Sequence, residues 1–160
     1  MEDSAPVVVF ALTPPGRTEL AGAARLPRVT PADRIVAYFS ACNGGDSHAV
    51  AAHFTPDAVI YDTNVRPARG RDEIGAMWSA VSRRWGGAHW SVDTVVESAD
   101  GSTAAIEWSM RGTELETGES FVFRGSEHYR FVDTLIDEIR QYWTFDRDRL
   151  GTGLIDYPYE

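Results

Sequence analysis

Glu127 is the residue whose type and position first indicate chemistry. Alternate residues of a β-strand share one face. In the run 121–131, Glu127 therefore shares a face with residues that are mostly aromatic: Phe121, Phe123, Gly125, Tyr129 and Phe131. The opposite face is mostly basic and polar: Val122, Arg124, Ser126, His128 and Arg130. The aromatic face is expected to pack inward and to bury Glu127 with it.

A buried carboxyl group at this position can act as an acid. Burial of an unpaired carboxylate costs several kcal/mol, so the group keeps its proton instead. A neutral carboxyl group is a hydrogen-bond donor and can stabilise charge on a substrate carbonyl. Two structural alternatives remain open: a salt bridge from Glu127 to an arginine, or a β-bulge that turns it outward.

The two flanking strands also have an apolar face. In 103–113 that face carries Ala104, Ile106, Trp108 and Met110, which turns Glu107 outward. In the last strand it carries Ile139, Gln141, Trp143 and Phe145. Three adjacent strands with such faces, covered by helices, predict a pocket for a hydrophobic ligand. A solid aromatic core is the alternative, and the Gln141 amide among the aromatic residues favours the pocket.

Helices that would cover this face come earlier in the chain. Thr30-Pro31 is an N-cap signal, and the apolar stripe that follows is Ile35, Tyr38, Phe39 and Cys42. Asp46 caps a short second helix expected to reach Phe54, and Gly70-Arg71 opens a third. That third helix has the stripe Ile74, Met77, Trp78, Val81 and Trp85.

Strands are predicted at 58–62, 89–97, 103–113, 120–131 and 137–145, and Thr55-Pro56-Asp57 is predicted to be the turn into the first of them. This order predicts an α+β fold, with helices on one face of a mostly antiparallel curved sheet.

The chain of 160 residues has the length of one domain. The domain is expected to span residues 30–147. Residues 1–29 are interpreted as an accessory arm that is partly flexible or packs across a neighbour, with a short strand at 7–10. Residues 148–160 are interpreted as a tail that covers the pocket or lies on another subunit.

Composition excludes several functions. The net charge of −9 argues against nucleic acid and anionic membranes as partners. The absence of lysine removes Schiff-base chemistry, and the single Cys42 removes an intrachain disulfide. The four histidines lack metal-site spacing, and no apolar run is long enough to span a membrane. The acidic start of the chain favours a cytoplasmic protein.

Four segments resemble a known family. They are Ala37-Tyr38-Phe39 with Gly45-Asp46, residues 57–62 followed by Gly70-Arg71-Asp72-Glu73-Ile74, residues 127–131, and residues 139–143. Their order is similar to that of the nuclear-transport-factor-two-like fold, and within it to ketosteroid isomerases and SnoaL-like polyketide cyclases. The resemblance covers roughly residues 31–147 and implies a cone-shaped sheet around an apolar pocket.

The resemblance also implies roles for individual residues. Asp62 would be the general base, and Tyr38 with Glu127 would hold the developing oxyanion. The substrate would be lined by Gln141, Trp143, Trp78, Phe54, Tyr129, Phe123, Trp108 and His53. Two departures separate the chain from the steroid isomerases: Glu127 replaces their aspartate, and Phe54 and Trp78 replace tyrosines.

The activity implied is acid–base chemistry, without metal or organic cofactor, on a small hydrophobic keto compound in natural-product biosynthesis. Isomerisation, cyclisation and dehydration all remain open, and the partner expected is a second copy of the chain. A non-catalytic ligand-binding or dimerisation module is the alternative. Epoxide opening is a weaker one, because it needs a water-activating carboxylate. By sequence alone Asp62-Thr63-Asn64 is also a simple strand-ending turn, and Tyr38 a core residue.

Overall fold

The computed structural model describes residues 8–11, 29–85, 87–114 and 116–144. Expectations for the rest of the arm, for Phe145 and for the tail at 148–160 lie outside these residues. The described residues form three helices, α1 (Pro31–Gly44), α2 (Ser47–Ala51) and α3 (Arg71–Arg84). They also form seven strands: β1 (Val8–Ala11), β2 (Phe54–Asp62), β3 (Ala68–Arg69), β4 (His89–Glu97), β5 (Thr103–Thr113), β6 (Ser120–Val132) and β7 (Leu135–Trp143).

The strands make one mixed sheet in the order β1-β4-β5-β6-β7-β2-β3. β1 pairs with β4 and β2 with β7 in parallel, and the other neighbours are antiparallel. α1 contacts β4 and β5, and α3 contacts β2 and β3. This architecture confirms the α+β fold class with a mixed sheet against three helices. None of the described helices combines the length and the apolar character needed to cross a bilayer.

Helix α1 has the boundaries that its sequence predicts. Thr30 and Asp33 form a reciprocal capping box, and Pro31 occupies the first turn. Gly45 ends the helix with φ 69°, a left-handed conformation that glycine adopts without strain. The predicted stripe is buried, with Tyr38 on it. The sequence therefore fixes which face of α1 meets the sheet.

The prediction for the segment after α1 is wrong in two respects. Asp46 caps α2 as expected, but the helix ends at Ala51 and does not reach Phe54. Strand β2 begins at Phe54, where Phe54 pairs with Ile136 of β7. The next aligned pair is Val59 with Glu138, so the predicted turn at Thr55-Pro56-Asp57 is an irregular stretch inside the strand. Proline is tolerated there because it need not donate to the ladder.

Strands β5 and β6 follow the predicted alternation of buried and more exposed residues. β4 and β5 have the expected bounds, whereas β7 begins at Leu135 instead of Asp137 and ends at Trp143. The earlier start follows from a two-residue turn, in which Asp133 has φ 54°, so that Val132 pairs directly with Leu135. Glu127 is buried, while Glu107 and His128 are exposed, as parity predicts.

Candidate active site

Glu127 lies in the middle of β6, and its side chain is only 2% exposed. Its neighbours in the sheet are Ile106 of β5 and Gln141 of β7. Opposed residues of adjacent strands lie on the same face, so all three point to the helix-covered side. An outward bulge at Glu127 is excluded, because the β5–β6 register runs unbroken past it. Among the described residues, no arginine contributes to the pKa shift of Glu127.

The partner of Glu127 is Tyr129, two residues along the same strand face. The Tyr129 hydroxyl donates a hydrogen bond to Glu127 Oε2. Burial raises the pKa of Glu127 from 4.5 to about 7, and the charge of Asp62 adds to the rise, while the Tyr129 bond opposes it. At neutral pH the carboxyl group is therefore close to half protonated. It can donate a proton or a hydrogen bond under the conditions of a cell.

Tyr38 brings a second donor to the same place from α1. Its side chain is fully buried, and its ring contacts those of Phe54, Trp78 and Tyr129 at centroid distances of 5.2, 6.1 and 6.5 Å. Burial raises the pKa of the Tyr38 hydroxyl well above 10, with further contributions from Cys42 and Glu127. Among the described residues no oxygen or nitrogen pairs with this hydroxyl, and its polar neighbour is the Cys42 thiol, a weak hydrogen-bonding group. An unpartnered buried donor is costly, and a bound acceptor would satisfy it.

Asp62 completes a polar row across three strands. Asp62, the last residue of β2, pairs with Gln141 of β7, and Gln141 pairs with Glu127 of β6. Adjacent strands are spaced by about 4.8 Å, so the backbones of Asp62 and Glu127 are roughly 10 Å apart. The charge of Asp62 contributes to the raised pKa of Glu127.

The Asp62 carboxylate is held by neighbours on both sides. Trp143 Nε1 donates to Oδ2 at 2.9 Å, and the Asn64 backbone N–H donates to Oδ1 at 2.6 Å. Thr63 ties the ends of the two strands together through Oγ1 and the Trp143 backbone. The strand-ending turn expected from the sequence is thus present. It also fixes the orientation of the carboxylate.

The remaining predicted lining residues are all on the inner side. Phe54 and Trp78 surround Tyr38, and the His53 ring lies 6.2 Å from the Tyr38 ring. Burial lowers the pKa of His53, which favours its neutral form. Trp143 contacts both Trp108 and Phe123, with centroids 6.0 and 6.1 Å away. The predicted residues therefore form one connected group around Glu127.

Three features of this group are not predicted by the sequence. The first is that Tyr129, expected only to line the substrate, is the hydrogen-bond partner of Glu127; its i, i+2 spacing on one strand face is the available signal. The second is Cys42, which lies beside Tyr38 and raises its pKa. The third is that Trp78 Nε1 and Trp108 Nε1 are buried without a partner among the described residues.

An open groove lies along β2 and β7, and most of its lining residues belong to the outer face of the sheet. It measures about 430 Å³, and Asp62 and Gln141 line it together with Tyr61, Thr63, Glu138, Arg140 and Tyr142. In the part of the chain that the structure describes, no group of three or more His, Cys, Asp or Glu side chains is placed to hold a metal ion. The carboxyl, hydroxyl and indole groups of the site can transfer protons or form hydrogen bonds.

Comparison with protein families gives one match, to the SnoaL-like domain over residues 35–139. That range includes Tyr38, Asp62 and Glu127 and ends before Gln141. No curated protein matches the chain significantly.

Solved structures share the fold. A protein of unknown function with a cystatin-like fold from Methylobium petroleophilum PM1 is 29% identical, with a TM-score of 0.63 over 76% of this chain and 80% of the other. A hypothetical protein with a ketosteroid isomerase-like fold from Catenulispora acidiphila DSM 44928, solved in complex with trimethylamine, is 17% identical with a TM-score of 0.66, over 76% of this chain and 90% of the other. The epoxide hydrolase/cyclase-like enzyme SalBIII of salinomycin pyran-ring formation is 17% identical with a TM-score of 0.62, over 71% and 90%.

Proposed function

The chain belongs to the SnoaL-like domain family, and on that premise we propose that it is an enzyme of acid–base chemistry on a small hydrophobic carbonyl compound. The observation that carries the proposal is the fully buried Glu127 carboxyl group with a pKa of about 7, beside the unpartnered Tyr38 hydroxyl. A ligand oxygen that accepts from both groups would satisfy both. These are the groups that stabilise an enolate.

In the proposed reaction Asp62 is the base. Its carboxylate removes a proton from the carbon next to the ligand carbonyl, and the electron pair of the broken C–H bond moves onto the carbonyl oxygen. Tyr38 and neutral Glu127 donate hydrogen bonds to that oxygen. Because Glu127 Oε2 accepts from Tyr129, the Glu127 proton resides on Oε1.

The enolate then has three outcomes that use the same residues. It can take the proton back from Asp62 at another carbon. It can attack a second carbonyl of the same molecule, whose oxygen then takes that proton. It can also expel a β-hydroxyl group, which takes that proton and leaves as water. These correspond to an isomerase, a cyclase and a dehydratase. For the cyclase reaction, the proposal includes a role in natural-product biosynthesis.

Deuterium exchange tests this proposal without knowledge of the natural substrate. The wild-type protein is expected to accelerate exchange of the α-protons of cyclic ketones in D₂O, measured by proton NMR. Asp62→Asn should lower that rate about 10² to 10⁴-fold, because it removes the general base, while binding of the ketone persists. Asp57→Asn is the matched control, since Asp57 is an exposed aspartate of the same strand, and it should exchange at the wild-type rate.

The same measurement separates the enzyme from a non-catalytic binding module. The two hydrogen bonds to Asp62 from Trp143 and Asn64 would also be present in a protein that only binds ligands. Ketone binding with no exchange above background by the wild-type protein would favour that alternative. Exchange by Asp62→Asn at the wild-type rate would remove Asp62 from the mechanism.

A further inference from the structure

The indole N–H of Trp108 is a donor that the proposed reaction does not use. Trp108 is 2% exposed, and its Nε1 has no hydrogen-bond partner within the described residues. An indole has one donor and no acceptor. Leaving that donor unpaired inside a protein is unfavourable, so buried indoles usually meet an oxygen.

Gly125 fixes where this N–H lies. Trp108 pairs with Gly125 of β6, and a Cβ added at Gly125 would come within 2.5 Å of Cζ2 and 2.8 Å of Cε2 of the indole. The ring therefore lies across β6 at Gly125, the inner-face position of that strand without a side chain. Nε1 is bonded to Cε2, so the donor sits over β6, one inward-facing position from Glu127.

Three neighbouring carboxyl oxygens already accept hydrogen bonds from other groups. The indole of Trp143, in edge contact with Trp108, donates to Asp62, which also accepts from Asn64. Glu127 Oε2 accepts from Tyr129. Trp78 Nε1 is a second buried indole donor without a partner among the described residues. A bound ligand with acceptor oxygens would supply a partner for such a donor.

We propose that the Trp108 indole N–H binds a second oxygen of the ligand, while Tyr38 and Glu127 bind the first. The inference rests on the proposed function for the first oxygen. It assigns the site to compounds with two acceptor oxygens on one hydrophobic skeleton, such as diketones and hydroxyketones.

The test compares 1-tetralone with a set of its monohydroxylated derivatives, one ring position each. At least one derivative should bind the wild-type protein about fivefold more tightly than 1-tetralone, the gain expected from one added hydrogen bond. Trp108→Phe keeps an aromatic ring without the N–H and should abolish that preference. Trp90→Phe removes the same ring volume from another buried indole and should retain it.

A second measurement does not depend on the stability of any variant. In ¹⁵N-labelled wild-type protein, the preferred hydroxytetralone should move the indole N–H resonance of Trp108 more than 1-tetralone does. No preference in the wild-type protein, a preference that survives in Trp108→Phe, or an unmoved resonance would overturn the inference. Exchange at the α-carbon of 1-tetralone is measured in parallel. Loss of the hydroxytetralone preference would then leave the base chemistry of Asp62 intact, and absence of exchange would leave the Trp108 contact intact.

Discussion

The pKa of Glu127 results from contributions of opposite sign at one residue. Burial and the Asp62 charge favour the neutral carboxyl group, and the Tyr129 hydrogen bond favours the carboxylate. The outcome, about 7, lies where a side chain can serve as a proton or hydrogen-bond donor at neutral pH.

A pH-dependent stability follows from this residue. The folded protein keeps the Glu127 proton up to about pH 7, whereas the unfolded chain releases it near 4.5. Between these values the folded state binds more protons, so the free energy of unfolding falls as pH rises and levels off above about 7. The fall attributable to Glu127 is roughly 3 kcal/mol.

The contribution of Glu127 to the free energy of unfolding can be measured by urea unfolding. The wild-type protein and Glu127→Gln are compared at several pH values between about 4.5 and 8. The variant has no titrating group at 127, so the gap between the two stabilities should narrow or reverse as pH rises. A gap that stays constant across the range would mean that the carboxyl group is ionised in the folded protein throughout.

At the scale of secondary-structure elements, the packing of α3 against α2 depends on one glycine. Helix α3 crosses α2 at Gly75, where an added Cβ would come within 2.3 Å of the Ser47 carbonyl oxygen. This close approach lets α3 place Trp78 against Tyr38 of α1. A glycine that lowers helix propensity is thus required by packing.

Gly75→Ala should therefore destabilise the protein by about 1 to 3 kcal/mol, because the backbone of α2 must move to admit the methyl group. Gly44→Ala is the matched control in the last turn of α1, where nothing lies within 4 Å of the added Cβ. That change should be neutral or stabilising by up to about 1 kcal/mol. Thermal unfolding of both variants measures the contrast, and equal effects would show that the contact with Ser47 does not limit helix packing.

At the scale of the whole molecule, the outer sheet face is the candidate for self-association. Tyr61 and Tyr142 are 39% and 48% exposed there, and both line the groove at the ends of β2 and β7. His128 packs edge-on against Tyr142 on the same face. Exposed tyrosines are enriched at protein interfaces, and the expectation of a homodimer stays a prediction.

Sedimentation equilibrium tests that prediction. We expect a mass near twice 17.7 kDa for the wild-type chain at micromolar concentration. Tyr142→Arg should shift the equilibrium towards the monomer, because it places a charge at the expected interface. A wild-type monomer at all concentrations would remove the homodimer, without consequence for the inner site.

Much of the fold follows from local signals. The capping box at Thr30, the apolar stripe of α1 and the alternation of β5 and β6 are each encoded within a few residues, and all appear as predicted. The prediction is wrong at the start of β2 and of β7. The start of β2 is set by pairing with β7, about 80 residues away, where Phe54 pairs with Ile136. The start of β7 is set by the tight turn that pairs Val132 with Leu135.

The sequence by itself determined that Glu127 faces inward, because strand alternation is a property of the backbone. It did not determine what Glu127 meets there. The Tyr129 bond, the row from Asp62 through Gln141, and the Trp108 indole over Gly125 depend on strand register and side-chain rotamers. Only the folded chain brings these groups together, since α1 and β2 are distant in sequence from β6 and β7, and the two parts converge through burial of their apolar faces.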